Sequence, residues 1–429
     1  MPPAARKVQT TYLLLASFNT LAASLIWGIN TIFLLDAGLN NLEAFAANAF
    51  FTAGMVIFEV PTGVIADLKG RRASFMLGTI TLAVSTLLYM LLWQLHAGFW
   101  EWAAVSAFLG LGFTFFSGAT EAWLVDALHF TGYKGKLDTV FAKGQIVSGI
   151  AMFTGSVGGG LIAQATNLGV PYLLRGIILL ITFVLAFTLM RDLGFTPAKG
   201  ERPFTEMKRI LNSSIEHGLK YPPVRWIMLS SPFISGVSFY GFYALQPYLL
   251  ELLGDSKAYA LAGITAAIVA GAQVAGGMLA PRIGQKFRRR TTILVVGLLL
   301  STVAIALMGL IPHFWAVIFF VVLWALLSAA TMPVRQAYLN GLIPTEQRAT
   351  VLSFDSLLGS SGGVVIQPTL GKAADVWGYP ASYLLSAGFQ ALALPFALAA
   401  RRRATIDPKA KAADALSPHE NPAKPEPAA

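Results

Sequence analysis

Long apolar runs with few charged residues are the feature that most constrains how this chain folds. Each run is about 20 residues or longer, the length that a helix needs to cross the hydrocarbon core of a bilayer. Only 12% of the 429 residues are charged, against roughly 25% in a soluble domain. We therefore predict an all-α integral membrane protein with twelve transmembrane helices. The runs, which we call spans 1 to 12, fall at about 11–35, 43–66, 73–95, 100–126, 140–165, 170–191, 224–251, 258–281, 291–311, 314–340, 349–371 and 380–400.

The positions of lysine and arginine predict the orientation. If the N-terminus lies inside, all of the 31 cations except Arg175, Lys257 and Lys372 fall on the inner side. The positive-inside rule then makes both termini cytoplasmic, in a multi-pass protein of the cell (inner) membrane. The net charge of +10 is thus a topology signal. The cations are spread over every inner loop without interleaved aromatic residues, so we expect the lipid bilayer, and no nucleic acid, as a partner.

Internal repetition predicts two similar halves. Residues 277–284 repeat 63–70 with both glycines and an alanine retained, and residues 359–363 repeat 155–159. Because six spans separate the copies, we expect two six-helix bundles, related as parallel repeats. The predicted parts are a cytoplasmic N-terminus at 1–10, a first bundle at 11–192, a linker at 193–222, a second bundle at 223–402 and a tail at 403–429.

The linker and the tail differ from the spans in composition. Apolar residues recur in the linker at helical spacing beside charged ones, which predicts an amphipathic helix on the inner membrane surface. The tail is rich in proline, alanine and lysine, which predicts a disordered cytoplasmic segment. The apolar linker residues are Phe204, Met207, Leu211, Ile215 and Leu219.

The connection between spans 2 and 3 carries a family resemblance. It reads Gly63-Val64-Ile65-Ala66-Asp67-Leu68-Lys69-Gly70-Arg71-Arg72. Together with twelve spans and a cytoplasmic joint between two halves, this run resembles the major facilitator superfamily of secondary transporters. The runs at 59–63 and 155–160 are similar to those of the twelve-helix drug:proton antiporters, which usually have proline where this chain has Ser156. The resemblance implies the major facilitator fold and transport by alternating access.

The same connection predicts a conformational latch. We expect Gly63 to let span 2 approach a neighbour closely and Gly70 to adopt the positive φ of a tight reversal. Asp67 is placed to face the positive end of another helix. The resemblance implies that this helix is span 11, and that Arg71 bridges Asp67 to Asp126 at the inner end of span 4, which would hold the inner face closed.

Two observations qualify this latch. Arg72 belongs to the same basic pair as Arg71, and both could serve only as topology signals. In the second copy of the motif Pro281 stands where the first has Asp67, so the latch should be asymmetric.

Ionisable residues inside the spans are candidates for proton coupling. An unpartnered charge at such a position costs about 3 kcal/mol unless it faces a cavity. Glu59 and Glu121 are our candidate coupling groups, because desolvated carboxylates bind and release protons near neutral pH; the alternative is local pairing within the latch. Asp355 is either a third coupling group or a structural acid at the start of span 11. Arg335 is a candidate counter-ion, or a topology residue.

The resemblance implies that spans 1, 4, 7 and 10 line the substrate cavity. Aromatic and uncharged polar residues on these spans suit a small amphipathic molecule and, through cation–π contacts, a lipophilic cation. Each aromatic residue could instead face lipid. The candidate substrate contacts are Asn19, Trp27, Asn30, Ser117, Phe233, Tyr240, Tyr243, Gln246 and Trp324.

The sequence lacks the parts of an enzyme. It has no cysteine and no P-loop, and its five histidines lack metal-ligand spacing, so we predict no catalytic residues, no metal and no cofactor. We predict a monomeric secondary transporter that couples proton entry to export of drugs or other amphipathic compounds. Two alternatives stay open: a proton-coupled uptake or exchange carrier for a metabolite, and a non-transporting membrane sensor or lipid-handling protein.

Replacing Asp67 by asparagine should leave insertion intact and shift the protein towards the inward-open state, because the neutral amide loses its interaction with a helix N-terminus. Cysteine-accessibility labelling of the cytoplasmic cavity measures this shift. Unchanged labelling in Asp67→Asn would mean that the connection is a topology signal alone.

Overall fold

In the computed structural model, described residues are 1–197, 212, 215–287, 289–343 and 348–402. Within these ranges the regular structure is helical and contains no strand. Nine stretches of described residues are long and apolar enough to cross a membrane, and the last, Thr350–Arg402, holds both span 11 and span 12. Spans 1 and 7 fall outside these nine stretches but are also helical, which gives twelve spans in all. The prediction of an all-α fold with twelve spans is confirmed.

Most spans are single helices. Spans 2, 3, 5 and 6 are Asn41–Lys69, Arg71–Leu95, Leu137–Ala165 and Gly169–Leu189. Spans 7 to 10 are Pro222–Leu253, Tyr259–Lys286, Arg290–Leu310 and Phe314–Leu342. Spans 11 and 12 share the helical stretch Arg348–Ala391, which a residue in left-handed backbone conformation, Gly378, interrupts, and span 12 continues in Ala393–Arg402.

Spans 1 and 4 are each broken in two, which the hydropathy pattern did not predict. Span 1 consists of Pro3–Ser24 and Asn30–Asp36, and span 4 of Phe99–Thr114 and Ala119–Phe130. The break in span 4 ends at Gly118, whose φ of 67° favours glycine. Both breaks lie within the span, where unwound backbone must line a cavity or pack against protein.

We call the face at which span 1 begins and span 2 ends the inner face, and the opposite one the outer face, following the predicted orientation. The tight joint of spans 2 and 3 at the inner face is confirmed: Gly70 alone separates the two helices, with a φ of 100°. The expectation for Gly63 is wrong, because no atom of a described residue lies within 4 Å of a Cβ built there. In the second half, span 8 runs on through Gly284 to Lys286, so the two joints differ.

Two expectations fall largely outside the described residues. Of the predicted amphipathic helix in the linker, the structure describes the segment Ile215–Leu219, which forms a π-helical turn. The predicted disordered tail at 403–429 lies outside the described residues altogether.

Each bundle packs around aromatic side chains in its outer half. In the first bundle the rings of Phe33 and Tyr172 stack with centroids 4.0 Å apart, and both residues are buried. In the second bundle Tyr248 and Tyr383 lie 5.3 Å apart. These pairs bury large apolar area and hold the outer halves of the spans in fixed positions.

Glycines let the two bundles touch near the outer face. A Cβ on Gly28 of span 1 would lie 2.7 Å from the Cα of Gly263 on span 8. A Cβ on Gly263 would lie 3.0 Å from the Cα of Gly160 on span 5. Both distances are too short for a methyl group, so the contact is between backbones, as small residues permit in membrane helices.

A larger side chain at Gly263 should therefore push the outer halves of the bundles apart. We expect Gly263→Val to lengthen the distance between spin labels at His96→Cys and Leu310→Cys, two exposed sites at the outer ends of spans 3 and 9. Gly271→Val on the same helix is the control, because nothing lies within 4 Å of a Cβ there. Equal label distances in the two variants would contradict the expectation.

Candidate functional site

A cavity of about 270 Å³ lies between the bundles. Trp27, beside the break in span 1, forms one wall, and spans 7, 8 and 10 form the others. The ring of Trp27 meets that of Phe242 edge-on, with centroids 5.6 Å apart. The polar groups in the lining are the uncharged side chains of Ser238, Gln273 and Ser328, together with the hydroxyl of Tyr243. We call this space the central cavity.

Three of the candidate substrate contacts line the central cavity. They are Trp27, Tyr243 and Trp324. Phe242 and Gln273 line it as well and were missed, since Gln273 lies on span 8, which the family resemblance did not include. The one available signal was Gln273 itself, an amide within the apolar run of span 8.

The structure places two other candidates in the cores of the bundles and a third, Phe233, partly buried against span 12. Asn30 donates to Asn48 (3.0 Å) and accepts from the hydroxyl of Tyr172 (3.1 Å) inside the first bundle. Tyr240 is fully buried and is hydrogen-bonded to Ser382 at 2.5 Å. The ring of Phe233 lies parallel to that of Phe396 on span 12, 6.0 Å away. Asn19 is half-buried on span 1 and is not among the residues that line the central cavity.

A second opening, of about 480 Å³, lies nearer the inner face between spans 2, 4 and 11. We call it the inner cavity. Glu59 on span 2 reaches into it and accepts a hydrogen bond from the hydroxyl of Ser117 at 2.5 Å. Opposite them, span 11 presents serines spaced by three and four positions, hence on one helix face, and this row was missed: Ser353, Ser356 and Ser360. A carboxylate of one bundle thus faces hydroxyl groups of the other.

Glu121 lies apart from Glu59. Its side chain is exposed and interacts electrostatically with the phenol of Tyr12 on span 1. It is not among the residues that line the inner cavity. Of the two candidate coupling carboxylates, Glu59 therefore lines the inner cavity and Glu121 does not.

Asp355 and Arg335 form an ion pair inside the second bundle. Both Asp355 oxygens accept from the guanidinium, at 2.6 and 2.7 Å. Ser231 on span 7 donates to the same carboxylate at 2.8 Å and also accepts from Arg335. The carboxylate is 6% exposed. Since breaking one partner of such a pair costs about 3–5 kcal/mol, this network ties spans 7, 10 and 11 together.

The predicted latch is assembled only in part. Arg71 pairs with Asp67 one turn earlier, and the exposed fraction of the Asp67 side chain is 52%. Asp126 forms no ion pair with any described residue. A missed residue, Asp192 at the end of span 6, accepts a hydrogen bond from the backbone N–H of Arg72 at 2.9 Å. A Cβ at Gly70 would overlap the Asp192 carboxylate, so Gly70 is needed for space as well as for its φ.

A carboxylate that was not predicted joins the bundles at the outer face. Asp375, near the end of span 11, accepts from the backbone N–H groups of Asn41 (2.9 Å) and Leu42 (2.8 Å), the first two residues of span 2. These N–H groups have no partner within their own helix, and the helix dipole favours an anion there. Tyr379 donates to the Asn41 side chain at 2.5 Å. We call these four residues the outer clamp.

Gln246 also joins the two bundles, through hydrogen bonds from span 7 to span 1. Its amide accepts from the backbone of Thr31 at 3.0 Å and donates to the carbonyl of Trp27 at 2.7 Å. This candidate substrate contact therefore bridges the bundles instead of lining the central cavity. Within the described residues, the two bundles thus contact each other at the outer face, while the inner cavity separates spans 2 and 4 from span 11.

Comparison with known proteins decides the family. The sequence model described as Major Facilitator Superfamily matches residues 12–288 and 259–426. The chain belongs to the Major Facilitator Superfamily. It is similar to the multidrug resistance protein MdtG of Salmonella typhimurium (strain LT2), with 26% identity over 334 residues, 76% of this chain and 77% of that protein.

Solved structures of superfamily transporters share the fold. The nucleoside transporter NupG superposes with a TM-score of 0.76 at 10% identity, over 92% of this chain and 99% of NupG. A bacterial homologue of the human lysosomal transporter Spinster, in an inward-facing and unoccupied conformation, gives 0.73 at 15% identity, over 94% and 98%. The predicted superfamily and fold class are confirmed, and this superfamily protein is a multi-pass membrane transporter of small molecules.

Removing the charge of Asp375 should loosen the outer clamp. An anion at a helix N-terminus contributes about 1 kcal/mol, so we expect Asp375→Asn to raise the ratio of outward-open to inward-open molecules about fivefold. Spin labels at His96→Cys and Leu310→Cys report this ratio. Asp255→Asn is the matched control, because among the described residues that outer carboxylate accepts only within its own turn, from the backbone of Lys257. A shift of equal size in the control would contradict the assignment.

Proposed function

We propose that this superfamily member exports drugs or other amphipathic organic compounds in exchange for protons. The observation that carries the proposal is the central cavity, in which aromatic rings from both bundles surround a few uncharged polar groups. Such a lining binds apolar bodies of varied shape and attracts lipophilic cations to its ring faces. The similarity to MdtG, a protein named for multidrug resistance, supports export over uptake.

Alternating access would exchange one pair of helix-end contacts for another. In the present state Asp375, at the end of span 11, caps the start of span 2 at the outer face. Asp67, at the end of span 2, is half-exposed at the inner face. When the bundles rock and the inner face closes, Asp67 would cap the start of span 11 as the outer clamp opens.

Glu59 would couple this movement to protons. Closing the inner cavity brings the serine row of span 11 towards Glu59 and removes water, which raises the cost of its negative charge. A proton on Glu59 removes that cost, and a cationic substrate nearby offsets it. Closure of the inner face would therefore require either a proton on Glu59 or a bound cationic substrate. Because the two alternate, the protein would exchange protons for substrate across the membrane.

Glu59→Gln should abolish transport driven by a pH gradient while leaving the protein in the membrane. In inverted vesicles energised to an acidic interior, we expect the normal protein to accumulate a fluorescent lipophilic cation such as ethidium. Vesicles with Glu59→Gln should match vesicles that lack the protein. Glu101→Gln is the control, because Glu101 is an exposed acid at the outer start of span 4.

Three results would change the proposal. Gradient-driven transport that persists in the double variant Glu59→Gln, Glu121→Gln would contradict the coupling role. Loss of nutrient uptake without any effect on drugs would favour an uptake or exchange carrier. Failure of the normal protein to move any solute from a broad panel in proteoliposomes would favour a non-transporting sensor or lipid-handling protein.

A further inference from the structure

Arg175 is a buried cation that the mechanism above does not use. It lies on span 6, six residues after Gly169 and so about 9 Å from the outer end of the helix. Its exposed fraction is 2%. A guanidinium at such a depth is costly unless an anion or several acceptors surround it.

No protein group in the described part of the chain balances the charge of Arg175. Its Nε and Nη2 atoms are buried and have no hydrogen-bond acceptor there. The groups with which it interacts electrostatically are three phenols, those of Tyr89, Tyr172 and Tyr243. Phenols are neutral at physiological pH, so they orient dipoles towards the guanidinium without neutralising it.

The polar network that includes Tyr172 also holds an unpaired donor. Asn48 on span 2 uses its oxygen to accept from Asn30, whereas its Nδ2 group is buried and unpaired within the described residues. The oxygen of Asn30 in turn accepts from the hydroxyl of Tyr172, one helical turn from Arg175. The amide oxygens of Asn30 and Asn48 each already accept a hydrogen bond, whereas the Nδ2 group of Asn48 and two guanidinium nitrogens of Arg175 are unpaired N–H donors among the described residues, and such donors suit an oxyanion.

Tyr243 lies between the unpaired donors of Arg175 and the central cavity. It lines the cavity and interacts electrostatically with Arg175. Arg175, Asn48 and Tyr172 belong to the first bundle, and Tyr243 belongs to the second. Opening of the outer clamp would move Tyr243 with its own bundle, and the guanidinium would then border the central cavity.

We propose that Arg175 and Asn48 bind the oxyanion of an amphipathic ligand, a carboxylate or a group of similar chemistry, whose apolar part occupies the central cavity. The binding part of this proposal rests on the buried, unpaired donors of Arg175 and Asn48 and is independent of the proposed function. That such an anion is also exported rests on the proposed function, and it extends the substrate class from lipophilic cations to amphipathic anions. An anionic lipid headgroup offers the same chemistry, so the lipid composition of the test is controlled.

Calorimetric titration of the full chain in phosphatidylcholine nanodiscs tests the proposal. The probes are 4-phenylbutyrate and 4-phenylbutylamine, which share an apolar body and differ in charge. We expect Arg175→Gln to weaken binding of the carboxylate about tenfold or more, since a buried charge-assisted contact is lost, without weakening binding of the amine. Lys257→Gln, which removes an exposed outer cation, should bind both probes normally.

Further variants keep the test decisive if Arg175→Gln does not fold. Arg175→Lys keeps the charge and should retain part of the carboxylate affinity, and Asn48→Ala removes one donor and should weaken carboxylate binding severalfold. Replacing part of the phosphatidylcholine by phosphatidylglycerol separates the two sources of the anion. Competition by that lipid would identify a headgroup as the occupant of the proposed site, and its absence would favour a soluble anion.

The outcomes separate this proposal from the proposed export. Equal carboxylate affinity in the normal protein and in Arg175→Gln, or no carboxylate binding by the normal protein, would overturn the anion site and leave export of cations untouched. If carboxylate binding depends on Arg175 but a pH gradient drives neither probe across the membrane, the site stands and the proposed transport fails.

Discussion

The contact between Asp375 and the first N–H groups of span 2 is the interaction on which the present arrangement of this protein depends. It puts a carboxylate of one bundle on the positive end of a helix of the other, where the backbone has no internal partner. Because this contact holds the bundles together at the outer face, the inner cavity is open and Glu59 is accessible. The glycines Gly28, Gly160 and Gly263 also let the backbones of the two bundles approach closely near the outer face, with no side chains between them.

Charges are distributed according to whether the helices around them stay together. Arg335 and Asp355 lie within the second bundle, and each satisfies the other, so this pair can remain intact throughout a transport cycle. Glu59 and Arg175 lie where the two bundles meet, and neither forms an ion pair with a described residue. Groups whose surroundings change as bundles move are the ones available to bind a proton or a ligand.

The sequence predicted the features that depend on composition and on local geometry. Twelve long apolar runs predicted the spans, and the glycine before Arg71 predicted a tight reversal, because both properties are fixed by residues close together in the chain. The sequence also suggested Arg335 as a counter-ion of an acid within the spans. It did not predict that Asp375 would serve as a helix cap, because that role depends on a residue more than 300 positions away.

The faces of the helices were harder to predict than the helices themselves. In a soluble helix, polar residues mark the outside, but in a membrane helix the lipid face, the core face and the cavity face are all apolar or aromatic. Nothing local distinguishes Tyr240, which is hydrogen-bonded in the core, from Tyr243, three positions later, which lines the central cavity. The breaks in spans 1 and 4 were missed for a similar reason, since hydropathy records how apolar a run is and not whether its helix is continuous.

The short connection at Gly70 has a mechanical consequence. With one residue between spans 2 and 3, and with Asp192 of span 6 fixed to the backbone of Arg72, the end of span 2 has no slack. Asp67 cannot swing on a loop of its own, so it can reach span 11 only if the whole first bundle tilts. The connection therefore fixes Asp67 to the first bundle, so that any displacement of Asp67 towards span 11 would have to accompany a rotation of that bundle.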